Sequence, residues 1–278
     1  VSPAWSCGEK GQVVNDWLYQ PRWHTKGNDN ALPVPLKRED NASWLVIGKD
    51  SASENRLAHK FVAELMTEIE SNALNVVFVT NAERYEQIST LRYQLSLKNP
   101  DQIQQLLSDL YGDSGSHCLG IINLLGLTED NNIDNLAALQ NEQKETCESS
   151  IHVIQALSLM GWSKPPQLWL GTSNAYQIEG DEQPPHVGQA ALWGLGRVIA
   201  MEHAELKCTR FDVDLQANSE SRKLDLDILI KDLLVSDNED QIAIRRGVRH
   251  VARLESSMEN RHIGVHPIPA TEAYRVNV

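Results

Sequence analysis

Short continuous apolar runs alternate along this chain with longer stretches whose apolar residues recur at helical spacing. That alternation constrains the fold more than any other feature. The runs are 44–48, 76–79, 119–125 and 168–170, and 210–213 reads as a fifth strand. A run that is apolar at nearly every position fits a strand buried on both faces. Between the runs lie helical patterns. Residues 55–69 place Leu57, Phe61, Val62, Leu65 and Ile69 on one face, and Pro100-Asp101 opens a helix carrying Ile103, Leu106, Leu107 and Leu110. Residues 151–160 form a third, closed by Gly161 as a C-cap, and 186–203 and 226–234 complete the set. Residues 241–254 read as a hairpin around Gly247. Strands separated by crossover helices predict an α/β fold, an open parallel sheet with helices on both faces and Rossmann-like topology. Residues 1–16 are polar and read as a linker, and 255–278, polar with two prolines, as an exit linker, so the domain spans 17–254. In the long 186–203 helix, Trp193, Leu195 and Val198 are expected on the buried side, with Gly194 and Gly196 at a close contact.

Charge narrows the function classes. Lys plus Arg is 25 and Asp plus Glu is 38, a net charge of −13. Nucleic acid needs a basic footprint, so the acidic balance argues against it, and against anionic membranes. No stretch approaches the ~20 apolar residues of a membrane-spanning helix. The opening VSPAWSCGEKGQ has no initiator Met, which reads as an excised fragment, and no signal-peptide pattern. Cys7, Cys118, Cys147 and Cys208 form no C-x-x-C pair and read as reduced thiols of a cytoplasmic protein.

The positions that carry chemistry in this fold class are altered here. A dinucleotide needs G-x-G-x-x-G after the first strand, so that backbone N–H groups and a helix N-terminus meet the pyrophosphate. The turn reads Gly48-Lys49-Asp50-Ser51-Ala52-Ser53-Glu54-Asn55, with one glycine and two carboxylates. Ser51 or Ser53 serves there as a helix cap. The turn equally lacks the glycine-rich loop of a methyltransferase. A short-chain reductase needs a Tyr–Lys pair at i, i+4 on the helix after the Thr172-Ser173 strand end, where the Tyr donates a proton. Leu192 or Trp193 stands in its place. His262 and His266 are four apart in a Pro-containing tail with no completing ligand, so no metal site is read. The acidic run Asp237-Asn238-Glu239-Asp240 reads as a solvated loop.

Three segments carry a family resemblance. Trp17-Leu18-Tyr19-Gln20-Pro21-Arg22-Trp23 is similar to an opening L-Y-x-x-x-W strand. Residues 189–203 match Q-x-x-x-x-G-L-G-R-V-x-x-x-E-H, and residues 241–254 are similar to a closing hairpin of E-x-Q-x-A-x-R-x-G-x-R-x-x-A-R-L type. Together they resemble the structural, non-catalytic subdomain of ketoreductases in modular polyketide synthases. The resemblance implies a truncated Rossmann-like, short-chain-dehydrogenase-like fold with no catalytic, cofactor-binding or metal residue of its own. It implies a partner: a catalytic half that binds NADPH and reduces a β-keto thioester on an acyl carrier protein. Neighbouring enoylreductase or dehydratase domains of the parent synthase are further implied partners. Residues 271–278 are similar to the start of an enoylreductase domain, and a plain linker into the catalytic half is the equal alternative. Trp17, Tyr19 and Trp23 are the candidate interface, either with that partner or packed on this domain's own sheet. The competing class is a free-standing atypical short-chain reductase or methyltransferase-like enzyme.

Overall fold

The computed structural model describes residues 19–27, 41–49, 56–72, 74–112, 116–128, 135–181, 183–235 and 237–256. Each long apolar run becomes a strand: β2 (Ala42–Gly48), β3 (Asn75–Asn81), β6 (His117–Gly126), β7 (Gln167–Ser173) and β8 (Thr209–Val213). The helical patterns become α1 (Arg56–Ser71), α2 (Pro100–Tyr111), α4 (Ser149–Leu159), α5 (Ala190–Glu202) and α6 (Ser219–Leu234). Residues 241–254 form the expected hairpin, β9 (Gln241–Arg245) and β10 (Val248–Ser256), and Gly247 turns it at φ 74°. The aromatic run gives β1 (Tyr19–Thr25).

The sheet order is β1-β10-β9-β8-β7-β6-β2-β3-β5-β4. From β9 to β5 every neighbouring pair is parallel, and β10 on β9 and β4 on β5 add antiparallel edges. Strand order reverses between β2 and β6. Alternate residues of β2 serve opposite layers: Leu45 and Ile47 face α2, α4 and α5, while Trp44 and Val46 face α1 and α6. That two-sided burial explains why β2 is apolar at nearly every position.

Three pieces were not visible as elements. β4 (Glu86–Ser89) and β5 (Arg92–Leu95) lie between β3 and α2 where no strand was expected. α3 (Leu136–Gln143) precedes α4, and a π-helical segment, Lys144–Glu148, joins the two. The 186–203 expectation needs correction. Trp193 is buried and Leu195 half-buried, but Val198 is 47% exposed and Gly194 faces open space. Only Gly196 makes the close contact: a Cβ there would come 2.5 Å from Arg210 Cδ.

The chain divides into two compact units. Trp23–Val251 carries the core. The other, Val1–Arg22 with Ala252–Val278, includes among the described residues the start of β1 and the end of β10, with Arg22 Nε 3.5 Å from Glu255 Oε2.

Candidate functional site

In an open α/β sheet, ligands bind outside the carboxyl ends of the strands, where the strand order reverses. Here that point lies beyond β2 and β6. Gly48 ends β2 against packing: a Cβ on it would stand 3.0 Å from Phe78 Cε2 and 3.6 Å from Val62 Cγ1. Asp50 and residues 51–55 of the turn lie outside the described residues. Across the crevice Lys49 Nζ sits 3.6 Å from Glu145 Oε2 on the π-helical segment. Lys49 and Glu145, with Asn81, Leu97, Lys98, Leu125 and Ser149, line a cavity of about 240 Å³. Hydrogen bonds fix its walls. Asn81 Oδ1 accepts from the Leu97 N–H, Asn123 donates to Ser150 Oγ, and Ser150 donates to the Thr146 carbonyl.

At the end of β7, the hydroxyl of Thr172 donates to Asp212 Oδ1 at 2.6 Å, and the Ala175 N–H donates to the same oxygen at 2.9 Å. The Ser173 N–H donates to Gln189 Oε1. Asp212 is fully buried on β8 and pairs with Arg245 of β9 at 2.6 Å, and Arg245 also reaches Asp181 at 3.0 Å. Burial pulls the Arg245 pKa down, but Asp212 and Asp181 outweigh it and the net direction is up. A buried charge needs such pairing. Arg245 further donates to the carbonyls of Asp212 and Tyr176. These groups hold the loop after β7 in place.

The helix positions at issue are Leu192, fully buried, and Trp193, 1% exposed. Trp193 packs edge-on against Tyr176 at 5.0 Å and Trp23 at 6.0 Å, and Trp23 meets Tyr176 at 5.4 Å. The Tyr176 hydroxyl accepts from Arg197, which also donates to Gln241. Of the candidate interface residues, Trp23 is thus half-buried in a ring cluster inside the Trp23–Val251 unit. Tyr19 is 57% exposed, and Trp17 lies outside the described residues.

Comparison at the level of families matches residues 119–254 to "Polyketide synthase extender module SpnB, Rossmann fold domain". The matched residues take in β6 through β10 except the extreme ends. Polyketide synthase GfsA of Streptomyces halstedii is 28% identical over 234 residues, 84% of this chain and 3% of that protein. A phenolphthiocerol/phthiocerol polyketide synthase of Mycobacterium tuberculosis is 41% identical over 92 residues, 33% of this chain and 6% of its own. The chain thus spans a small fraction of these curated relatives. Among solved structures, a multidomain keto acid-selecting NRPS module with a ketoreductase superposes with TM-score 0.67 at 18% identity, over 90% of this chain and 20% of its own. An A-type ketoreductase from a modular polyketide synthase superposes with TM-score 0.57 at 20% identity, over 88% and 43%. These likenesses establish the fold.

Charged groups that sequence reasoning missed dominate this end of the sheet. The run 237–240 is a correction: it is an ion-pair hub. Asp237 pairs with Arg249 at 2.9 Å and Lys26 at 3.6 Å, Glu239 pairs with Lys26 at 2.6 Å, and Asp240 pairs with buried Arg210. Arg249 also binds buried Asp232 at 2.7 Å. One signal was present. Arg210 and Asp212 alternate with Phe211 and Val213 in a strand placed for burial, where an unpaired charge is costly. Among the described residues no group of three or more His, Cys, Asp or Glu side chains is placed to hold a metal, and no helix is long and apolar enough to cross a membrane. Cys118 and Cys208 are buried free thiols, each pushed by burial to about 12, and half-buried Cys147 is also free.

Proposed function

We propose that this chain is the non-catalytic structural subdomain of a polyketide synthase ketoreductase. It braces a catalytic half that binds NADPH and reduces a β-keto acyl thioester carried by an acyl carrier protein. The observation that carries this reading is the burial of Leu192 and Trp193 on α5. A proton donor is needed there for carbonyl reduction, and instead two apolar side chains fill the core and a ring cluster. The Lys49–Glu145 pair across the crevice supports the same reading, because Glu145 sets a carboxylate where a pyrophosphate would approach. Enoylreductase or dehydratase domains of the parent synthase are the neighbouring partners.

The direct test is calorimetric titration of the chain with NADPH. No saturable binding is expected below about 100 μM. A Kd tighter than about 100 μM, roughly −5.5 kcal/mol, overturns the reading in favour of an atypical reductase. Co-expression with the catalytic half is expected to raise its soluble yield and carbonyl reduction over that half alone.

A further inference from the structure

Parallel strands β3 and β5 are joined without a helix. A crossover between parallel neighbours usually runs through a helix that covers one face of the sheet. Here residues 82–91 make the connection, and they hold the edge strand β4 instead. Among the described residues, the helix layer on the α1 side therefore ends at α1. Tyr93 and Leu95 of β5 belong to the core on the opposite side. Arg92 pairs in register with Phe78 of β3, and its guanidinium lies 5.6 Å from the centre of the Phe78 ring, on the uncovered side.

Where that helix is missing, α1 and the sheet enclose a cavity of about 270 Å³. Val62, Met66 and Phe78 form its apolar wall, and Arg92 and His59 also line it. Lys and Arg number 25 against 38 Asp and Glu, so carboxylates are plentiful. The exposed Arg92 guanidinium nevertheless makes no ion pair or hydrogen bond among the described residues. His59 Nδ1 is closed off from solvent and has no hydrogen-bond partner among the described residues. A shielded polar atom without a partner is costly, and a ligand that supplies the partner relieves that cost. Glu70 is the one acid among the described lining residues, about three helical turns along α1 from His59.

We infer that this cavity is a binding site for a short aliphatic monocarboxylate. The carboxylate accepts charge-assisted hydrogen bonds from Arg92 and a hydrogen bond from His59 in its Nδ1–H tautomer. The chain of the ligand packs on Val62, Met66 and Phe78. A guanidinium offers a planar fork that matches a carboxylate, and the Phe78 ring beneath it holds the fork in place. Glu70 repels a second carboxylate, so a dicarboxylate of equal length is disfavoured. The volume suits a small molecule and not a dinucleotide. This cavity shares no described lining residue with the one beside Lys49 and Glu145, so the inference stands apart from the question of catalysis.

Titration of the whole chain with hexanoate, adipate and 1-hexanol tests the site, followed by calorimetry and by backbone amide NMR shifts. Hexanoate is expected to bind with a Kd of about 1 mM or tighter, moving the amides of His59, Met66, Phe78 and Arg92 in a saturable way. Adipate and 1-hexanol are expected to bind at least about tenfold more weakly. Arg92→Gln, at an exposed position, is expected to keep the melting temperature and to weaken hexanoate at least about tenfold. The absence of saturable shifts up to about 20 mM hexanoate overturns the site. Adipate or 1-hexanol binding as tightly as hexanoate, or an unchanged affinity in Arg92→Gln, overturns it as well. Shifts centred on Lys49 and Lys98 place the carboxylate in the other cavity and overturn the assignment. The shift map on the unaltered chain decides the matter even where the variant fails to fold.

Discussion

Two glycines two residues apart on α5 differ in the space their missing side chains would claim. At Gly196 a Cβ would lie 2.5 Å from Arg210 Cδ, 2.7 Å from Arg210 Cγ and 3.0 Å from Leu170 Cδ1. Arg210 cannot swing aside, because it is buried, donates to the Gly196 carbonyl and pairs with Asp240. Gly196→Ala should therefore destabilise by about 1–3 kcal/mol. Gly194→Ala should stabilise by up to about 1 kcal/mol, since open helical glycine only costs entropy. Thermal melts of both variants check the pair. Asp225 offers a pH-dependent counterpart. Its Oδ1 accepts the Gly247 N–H at 2.6 Å, while Oδ2 is buried with no hydrogen-bond partner among the described residues. Burial raises its pKa from 3.8 to about 6, against the opposing pull of that hydrogen bond and of Arg245. A carboxyl whose folded pKa is raised stabilises fully below about pH 4, and that stability is lost as pH rises through about 6. Asp225→Asn keeps the acceptor and removes the charge. Its melting temperature should exceed that of the parent at about pH 7.5, and the advantage should shrink toward about pH 4.5. An advantage independent of pH would show that Asp225 does not titrate there.

At the scale of elements, legibility followed burial. β2, β3, β6 and β7 were readable because each is sandwiched between helix layers and so carries a continuous apolar run. β4 was not, because its residues Glu86–Ser89 are all exposed at a sheet edge and carry no burial pattern. α3 has no buried residue, so no period marked it. Charged residues were legible as charges but not as pairs. Asp237 finds Lys26 and Arg249, and Asp240 finds Arg210, through contacts that only the folded sheet brings together. The same limit applied to α5, which carries apolar residues on both sides, so periodicity alone did not say which side met the sheet. The aromatic strand β1 was legible as an element, but the engagement of Trp23 with Tyr176 and Trp193 was not. Each edge-on ring pair contributes about 0.5–1.5 kcal/mol beyond burial. Trp23→Ala should thus lower stability by about 1–3 kcal/mol without unfolding the core, read as a reduced denaturation midpoint with an unchanged slope.

For the whole molecule, a parallel sheet in doubly wound order need not imply doubly wound chemistry. The architecture is carried by the core, and the chemistry would have to be carried by the crevice. Restoring a motif to such a body is an incisive test of that separation. Trp193 and Arg197 stand at i and i+4, the spacing of a reductase Tyr–Lys pair, so Trp193→Tyr with Arg197→Lys writes the pair back into the sequence. Position 193, however, is 1% exposed and points into the cluster of Trp23 and Tyr176, and residue 197 is tied to Gln241. A tyrosine there would be held among aromatic rings and would not reach a carbonyl at the strand ends. The double variant is expected to show no NADPH-dependent reduction of a β-keto thioester and a lower melting temperature, because the smaller ring gives up contacts with Trp23 and Tyr176 and the Trp193 N–H bond to Gln241 is lost. Measurable turnover by that variant would mean that the crevice still accepts cofactor and substrate and lacks only its proton donor. The structural role proposed for the chain would then have to be abandoned for that of a silenced enzyme.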